Sequence, residues 1–135
     1  MVPGTVIALY GDLGAGKTVF AKGIGKGLEV VDMVTSPSFV LMNVYYGRLA
    51  LYHFDFYRLG EEEELLELGL EEFFYGEGVT LIEWAGKFPS VLPSSRVDVF
   101  IEYSEEELNS RLLYFKPSGD FTAILVEEMR KACYS

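Results

Sequence analysis

The feature that most constrains this chain is a glycine-rich stretch near its start, GDLGAGKT at residues 11–18. A continuous apolar run, residues 5–10, comes before it and is typical of a strand buried on both faces of a parallel sheet. Residues 19–28 follow, with apolar side chains recurring every four positions as in an amphipathic helix. Strand, turn and helix in this order match the P-loop pattern G-x-x-x-x-G-K-[ST], so the sequence predicts a nucleotide-binding α/β fold.

The same stretch has the chemistry needed to hold a chain of phosphates. Glycine has no Cβ, so the loop can turn tightly and bring its backbone N–H groups against an anion. The start of the following helix adds free donors and the positive end of its dipole. Lys17 would reach the β- and γ-phosphates, and the Thr18 hydroxyl would ligate Mg²⁺. The alternative is a glycine-rich turn that binds nothing, and the flanking strand and helix argue against it.

A P-loop site needs a further acidic group for the metal and the water, and two residues are candidates. Glu83 follows the apolar run 79–82, so its carboxylate would emerge at the carboxyl edge of the sheet, where open α/β sheets bind ligands. The alternative for Glu83 is an ordinary strand-end carboxylate in solvent. Asp55 lies between aromatic residues in the string HFDFYR, and strand alternation puts it on the same face as His53. Asp55 either orients a water or supports the metal, or it forms a turn or pairs with Arg58.

Other residues near these strings carry weaker signals. His53 is the single histidine, and a lone histidine is more often packed or at the surface than a catalytic base. Trp84 either belongs to the core, which is the favoured interpretation, or lies over a ligand. Ser36 and Ser38 flank Pro37, and they are either a switch that senses the γ-phosphate or turn residues.

The remaining pattern predicts a single domain over residues 1–135 with a three-layer α/β/α architecture. Its sheet is mixed, with parallel strands at the centre and antiparallel hairpins at the edge. The predicted elements after the first helix are a hairpin of residues 39–46 and 49–56, an acidic helix over 61–74, a strand over 79–82, a second hairpin of 96–103 and 111–115, and a final helix capped by Asp120.

Composition narrows the environment and the partners. The net charge is -10, from 21 acidic and 11 basic residues, which disfavours a broad basic surface for direct nucleic-acid binding. Cys133 is the one cysteine, so no internal disulfide forms and a reducing compartment fits. No secretory signal and no apolar run of about 20 residues is present. We expect a soluble cytoplasmic protein with no membrane contact.

Five strings occur in order along residues 5–103, most of the chain: GDLGAGKT, SPS, YHFDFYRL, ELGLEEFF and LIEWAGKFPSVLP. Together they resemble the TsaE (YjeE) family, the P-loop ATPases of bacterial tRNA threonylcarbamoyladenosine synthesis. Family members usually have SPT where this chain has SPS, and the serine keeps the hydroxyl. They also usually carry a strand and a helix before the P-loop strand, so we expect some nucleotide contacts to be missing or supplied by a partner.

The resemblance implies an ATPase that uses ATP and Mg²⁺, is weak alone, and is stimulated by the partners TsaD and TsaB. These partners would contact tRNA, so this chain would meet tRNA only through the complex. By position, Thr18 and Glu83 would ligate the metal, and the catalytic residues would be Asp55, Lys17 and Glu83. The loop around Ser36 and Ser38 would be the switch. The implied nucleotide-binding residues are Asp12, Leu13, Gly14, Ala15, Gly16, Lys17, Thr18, Val19 and Arg111.

Three other functions compete with this interpretation. A small-molecule kinase closes arginines over the transferred phosphoryl group, but this chain has five arginines and no obvious basic lid. A GTPase would read guanine with an N-K-x-D string, which is absent. A scaffold with a vestigial P-loop would not need the intact Lys17–Thr18 pair.

Overall fold

The computed structural model describes residues 2–11, 17–31, 42–57, 69–103 and 111–119. Within these ranges the chain forms two helices and six strands, with two short 3₁₀ turns at Ala85–Lys87 and Pro89–Val91. The helices are α1 (Lys17–Gly27) and α2 (Leu70–Phe74). The strands are β1 (Val6–Tyr10), β2 (Met42–Tyr45), β3 (Leu51–Asp55), β4 (Val79–Glu83), β5 (Arg96–Tyr103) and β6 (Arg111–Ser118).

The strands form one sheet in the order β2-β3-β4-β1-β5-β6. The four inner strands are parallel, and β2 and β6 pair antiparallel with β3 and β5 at the two edges. The predicted mixed sheet is therefore confirmed, with one antiparallel hairpin at each edge. β1 lies at the centre, and residues 6–9 are at most 1% exposed, which confirms that an unbroken apolar run here is a strand covered on both faces.

Each face of the sheet carries its own apolar core. On one face, α1 buries Phe20, Ile24 and Leu28 against side chains from β1, β3, β4 and β5. On the other face, α2 buries Leu70 and Phe74 against Phe54 and its neighbours. Helices on both faces of a mostly parallel sheet make the three-layer α/β/α architecture that the sequence predicts.

Some element boundaries differ from the prediction. α1 begins at Lys17, two residues earlier than expected. β6 continues past Phe115 to Ser118, because proline is tolerated on an edge strand and Pro117 lies on one. The helix predicted over residues 61–74 does not run through Gly69, which has a left-handed backbone (φ 65) and immediately precedes α2.

Several predicted segments lie outside the described residues. They are the loop core at 12–16, the serine–proline loop at 34–38, the first residues of the first hairpin (39–41), most of the acidic helix (61–68) and the final helix from Asp120. The assignment of residues 1–135 to one domain stays a prediction. In the described ranges, no helix is long and apolar enough to cross a membrane.

Candidate functional site

The predicted site residues converge on one edge of the sheet. Because β1, β3 and β4 are parallel, their carboxyl ends lie at the same edge, which is where α/β sheets bind ligands. β1 ends at Tyr10, directly before the glycine-rich stretch. Asp55 ends β3 and Glu83 ends β4, and these two residues are register neighbours. The chain thus brings two carboxylates and the entry to the P-loop together.

Glu83 is buried, although it ends a strand. Its exposure is 3%, so the alternative of a carboxylate in solvent does not hold. Leu81, two residues earlier on β4, packs in the core beneath α1, and strand alternation places Glu83 on that same face. Glu83 therefore lies on the side of the sheet where α1 begins.

His53 supports the buried carboxylate. Its Nε2 lies 2.8 Å from Oε2 of Glu83, and the imidazole is fully buried. A charge removed from water needs a hydrogen-bonding partner, and the imidazole supplies one. Nδ1 of His53 has no hydrogen-bond partner among the described residues. The sequence favoured a packed or surface histidine over a catalytic base. The structure shows a packed one, and its contact with Glu83 was not predicted.

Asp55 has a structural role that the sequence left open. Its Oδ1 accepts a hydrogen bond of 2.9 Å from the backbone N–H of Tyr57, the Asx-turn contact that ends many strands. The turn role is therefore present. A carboxylate has several acceptor positions on its two oxygens, so this turn is compatible with a role toward water beside Glu83.

Two of the residues predicted to bind phosphate and metal lie at the start of α1. Lys17 and Thr18 are its first two residues, and the structure describes their backbone but not their side chains. Val19, which follows, is 72% exposed. Arg111 begins β6 and pairs with Tyr103, the last residue of β5, so its backbone lies at the carboxyl end of a parallel strand. Its side chain is not described.

The donor chemistry at this edge fits magnesium. Mg²⁺ prefers oxygen ligands and usually takes one or two carboxylates together with phosphate oxygens and waters. Glu83 offers such a carboxylate in a buried position. The described ranges contain no group of three histidine, cysteine or acidic side chains able to hold a metal, so a metal cage built by protein side chains alone is not seen there.

An aromatic pocket of about 500 Å³ opens at the same edge. The rings of Tyr57 and Trp84 lie 4.8 Å apart. Trp84 also packs against the core on the face opposite α1, so it belongs to both the core and the pocket wall. The residues that line the pocket are Tyr10, Gly11, Tyr57, Trp84, Gly86 and Lys87.

A second buried carboxylate, Asp98, lies on the α2 face. Its Oδ1 accepts hydrogen bonds from the Tyr10 hydroxyl at 3.1 Å and from Nε of Arg96 at 2.9 Å. Arg96 also donates to the carbonyl of Pro93 at 2.8 Å. Burial, followed by the negative charge of Asp98, raises the pKa of Tyr10. These three residues, Tyr10, Arg96 and Asp98, form a polar cluster. The cluster holds the Tyr10 ring, which stacks on Phe100.

Known proteins are similar to this chain in sequence and in fold. The family model "Threonylcarbamoyl adenosine biosynthesis protein TsaE" matches residues 1–113. A Bacillus subtilis protein named tRNA threonylcarbamoyladenosine biosynthesis protein TsaE is 42% identical over 130 residues, covering 96% of this chain and 80% of its own length. A Treponema pallidum protein of the same name is 47% identical over 96 residues, 71% of each chain.

A solved structure agrees. The crystal structure of Bacillus subtilis YdiB superposes with a TM-score of 0.79 at 37% identity, covering 97% of this chain and 80% of that one. Sequence similarity across most of the chain and a shared three-dimensional fold both lead to the same assignment. The chain belongs to the TsaE family.

Proposed function

We propose that this protein is a Mg²⁺-dependent, ATP-hydrolysing subunit required for the threonylcarbamoyladenosine modification of tRNA. Family membership supports the pathway, since relatives at 42% and 47% identity carry that role in their names. The observation that carries the ATPase assignment is the buried Glu83 carboxylate, 3% exposed at the carboxyl end of β4. Glu83 lies on the face where α1 begins, and the first two residues of α1 are the lysine and threonine that end a complete P-loop motif.

The proposed roles follow from these positions. Backbone N–H groups of residues 12–19 and the Lys17 ammonium hold the phosphates. Thr18 and Glu83 hold the metal, which when bound neutralises charge on the phosphate oxygens. Asp55, at the end of the neighbouring strand, orients the attacking water. Because Asp55 and Glu83 are register neighbours on β3 and β4, they act on the same side of one nucleotide.

The partners of this subunit are TsaD and TsaB, in the cytoplasm. With a net charge of -10, the chain is repelled by a phosphate backbone, so we assign tRNA contact to the partners. Hydrolysis by the isolated chain is weak, and complex formation increases it.

The experiment is an ATPase assay of the chain alone and with TsaB and TsaD, with Lys17→Ala as the matched control. We expect hydrolysis to rise with the partners and to be lost in Lys17→Ala together with ATP binding, because the main positive charge on the phosphates is removed. Equal rates with and without partners would contradict the role in the complex. An unchanged ATP dissociation constant in Lys17→Ala would contradict the site.

A small-molecule kinase is the second candidate, and the aromatic pocket is the observation that favours it. A cavity of about 500 Å³ beside the nucleotide edge has the size of a typical small-ligand site. A kinase would move the γ-phosphoryl group to an added metabolite rather than to water. Radiolabelled phosphate recovered on a metabolite would establish this function, and its release as inorganic phosphate only would exclude it.

A further inference from the structure

We propose that His53 is a positioning residue for Glu83, whose Nε2–H fixes the orientation in which that carboxylate meets the divalent cation. The inference rests on the proposed function, because it needs a metal–nucleotide site at this edge. Neither the motif pattern nor the family description assigns this role to His53.

His53 and Glu83 form a buried contact that does not depend on a ligand. The imidazole is 0% exposed and the Glu83 side chain 4%, with Nε2 and Oε2 at 2.8 Å. Along the paired strands, His53 lies opposite Leu81 and Asp55 lies opposite Glu83. The imidazole is therefore two residues before the end of β3, on the same face as Glu83. From there it reaches up to the carboxylate. A flexible glutamate loses its rotamer freedom before the ligand arrives, which is how supporting residues tune metal ligands.

The chemistry of the imidazole suits this task. A neutral ring with its proton on Nε2 donates to the carboxylate without cancelling the negative charge that attracts a cation. A lysine or an arginine in its place would bring a positive charge against the metal. Histidine therefore combines a fixed donor with the charge that the site needs.

Core packing alone does not explain a histidine at this position. Buried polar atoms are nearly always hydrogen-bonded, yet Nδ1 of His53 has no such partner within the described ranges. A leucine, like the buried Leu51 two residues earlier, would fill the space with apolar atoms but could not donate to Glu83. The hydrogen bond to Glu83 is what the histidine adds.

The test measures how much Mg²⁺ strengthens ATP binding, as the ratio of the dissociation constants in EDTA and in Mg²⁺. We expect His53→Asn to lower this ratio about tenfold or more, while ATP binding in EDTA changes by less than about twofold because the P-loop supplies it. The asparagine amide ends near the position of Nδ1 and cannot reach Glu83.

His53→Gln is the matched control, because its amide N–H takes the place of Nε2–H. We expect it to keep the ratio within about threefold of the wild type. A ratio in His53→Asn equal to that of the wild type would overturn the positioning role. Equal losses in His53→Asn and His53→Gln would overturn it as well, since a merely structural histidine is not rescued by a donor. If the wild type bound ATP equally well with and without Mg²⁺, that result would instead contradict the proposed function.

A double variant shows whether His53 acts through Glu83. In a Glu83→Gln background, His53→Asn should change the ratio by less than about twofold, because the carboxylate it orients is gone. The same loss in both backgrounds would overturn the inference.

The wild-type protein provides a test that no folding defect can obscure. His53 is the single histidine, so the ring nitrogens give one unambiguous set of ¹⁵N resonances. We expect the neutral tautomer with its proton on Nε2, and a shift of these resonances with Mg²⁺ and ADP that exceeds the shift with ADP in EDTA. A proton on Nδ1 with a bare Nε2 would overturn the proposal, because Nε2 would then have nothing to donate.

Discussion

Two buried carboxylates lie on opposite faces of the same sheet and differ in what surrounds them. Glu83, on the α1 face, meets the imidazole of His53 at 2.8 Å. Asp98, on the α2 face, meets the hydroxyl of Tyr10 at 3.1 Å and the guanidinium of Arg96 at 2.9 Å. Both are at most 6% exposed, so burial alone does not distinguish the two carboxylates.

The difference lies in the described side chain that each carboxylate meets and in its position on the strand. Asp98 is neutralised by an arginine that also holds the carbonyl of Pro93, and it sits within β5 rather than at its end. Glu83 meets the Nε2 atom of His53 and ends β4. A carboxylate at the carboxyl edge of parallel strands lies where α/β sheets bind ligands, whereas one paired with an arginine inside a strand is suited to packing.

The largest expected effect is on catalysis at Glu83. We expect Glu83→Gln to slow ATP hydrolysis by the complete complex about 100-fold, because the charge that holds the metal is lost. The unfolding free energy should change by less than about 1 kcal/mol, since His53 can still donate to the amide oxygen. Steady-state ATPase rates and urea unfolding check both parts. Asp98→Asn is the control on the other face, and a comparable rate loss there would contradict the distinction.

Asp98 should show the reverse pattern. We expect Asp98→Ala to lower the unfolding free energy by roughly 2–3 kcal/mol, because Tyr10 and Arg96 lose their acceptor. The loss stays below that of a fully buried ion pair, since the Arg96 side chain is 25% exposed. ATP hydrolysis by the folded variant should stay within about threefold of the wild type. Urea unfolding that matches the wild type would show that the cluster does not stabilise the fold.

A smaller effect is expected from the hydroxyl of Tyr10. Tyr10→Phe removes one hydrogen bond to Asp98 but keeps the ring, which stacks on Phe100 with centroids 4.7 Å apart. We expect a loss of about 1 kcal/mol in unfolding free energy. Thermal and urea unfolding measure it, and a loss as large as that of Asp98→Ala would mean that the tyrosine, not the arginine, dominates the cluster.

The smallest expected effect is a pH dependence of the same cluster. Burial and Asp98 raise the pKa of Tyr10 above its usual value of 10.0, so the folded state favours the neutral phenol. This contribution to stability is fully present below pH 10 and is lost as the pH rises through the raised pKa. We expect the stability of Tyr10→Phe relative to the wild type to increase between about pH 9 and about pH 11. A constant difference across that range would contradict the shift.

Local patterns were sufficient to predict most of the fold. The unbroken apolar run of residues 5–10 predicted the central strand, and the aromatic runs around Gly47 predicted the first hairpin, which is confirmed as β2 and β3. Boundaries were less predictable where context overrides propensity. The last strand was predicted to end at Phe115 but continues to Ser118, since Pro117 lies on an edge strand, where its missing N–H has no consequence. Gly69, with its left-handed backbone, directly precedes α2, although the acidic and apolar pattern of residues 61–74 predicted one helix there.

The site could be predicted only as separate pieces. The P-loop motif, the strand-end position of Glu83 and the shared face of His53 and Asp55 were all accessible from the sequence. The contact between His53 and Glu83 was not, because it joins residues 30 positions apart and depends on the register of β3 against β4. Alternation gives the face of each side chain, but register between neighbouring strands is set by tertiary packing.

The most direct measurement of the central claim is equilibrium binding of ATP with and without Mg²⁺ to the wild type, Glu83→Gln and Asp98→Asn. If Glu83 holds the metal and Asp98 only stabilises the fold, Mg²⁺ strengthens ATP binding in the wild type and in Asp98→Asn but not in Glu83→Gln. Strengthening of equal size in Glu83→Gln and in the wild type would contradict the account.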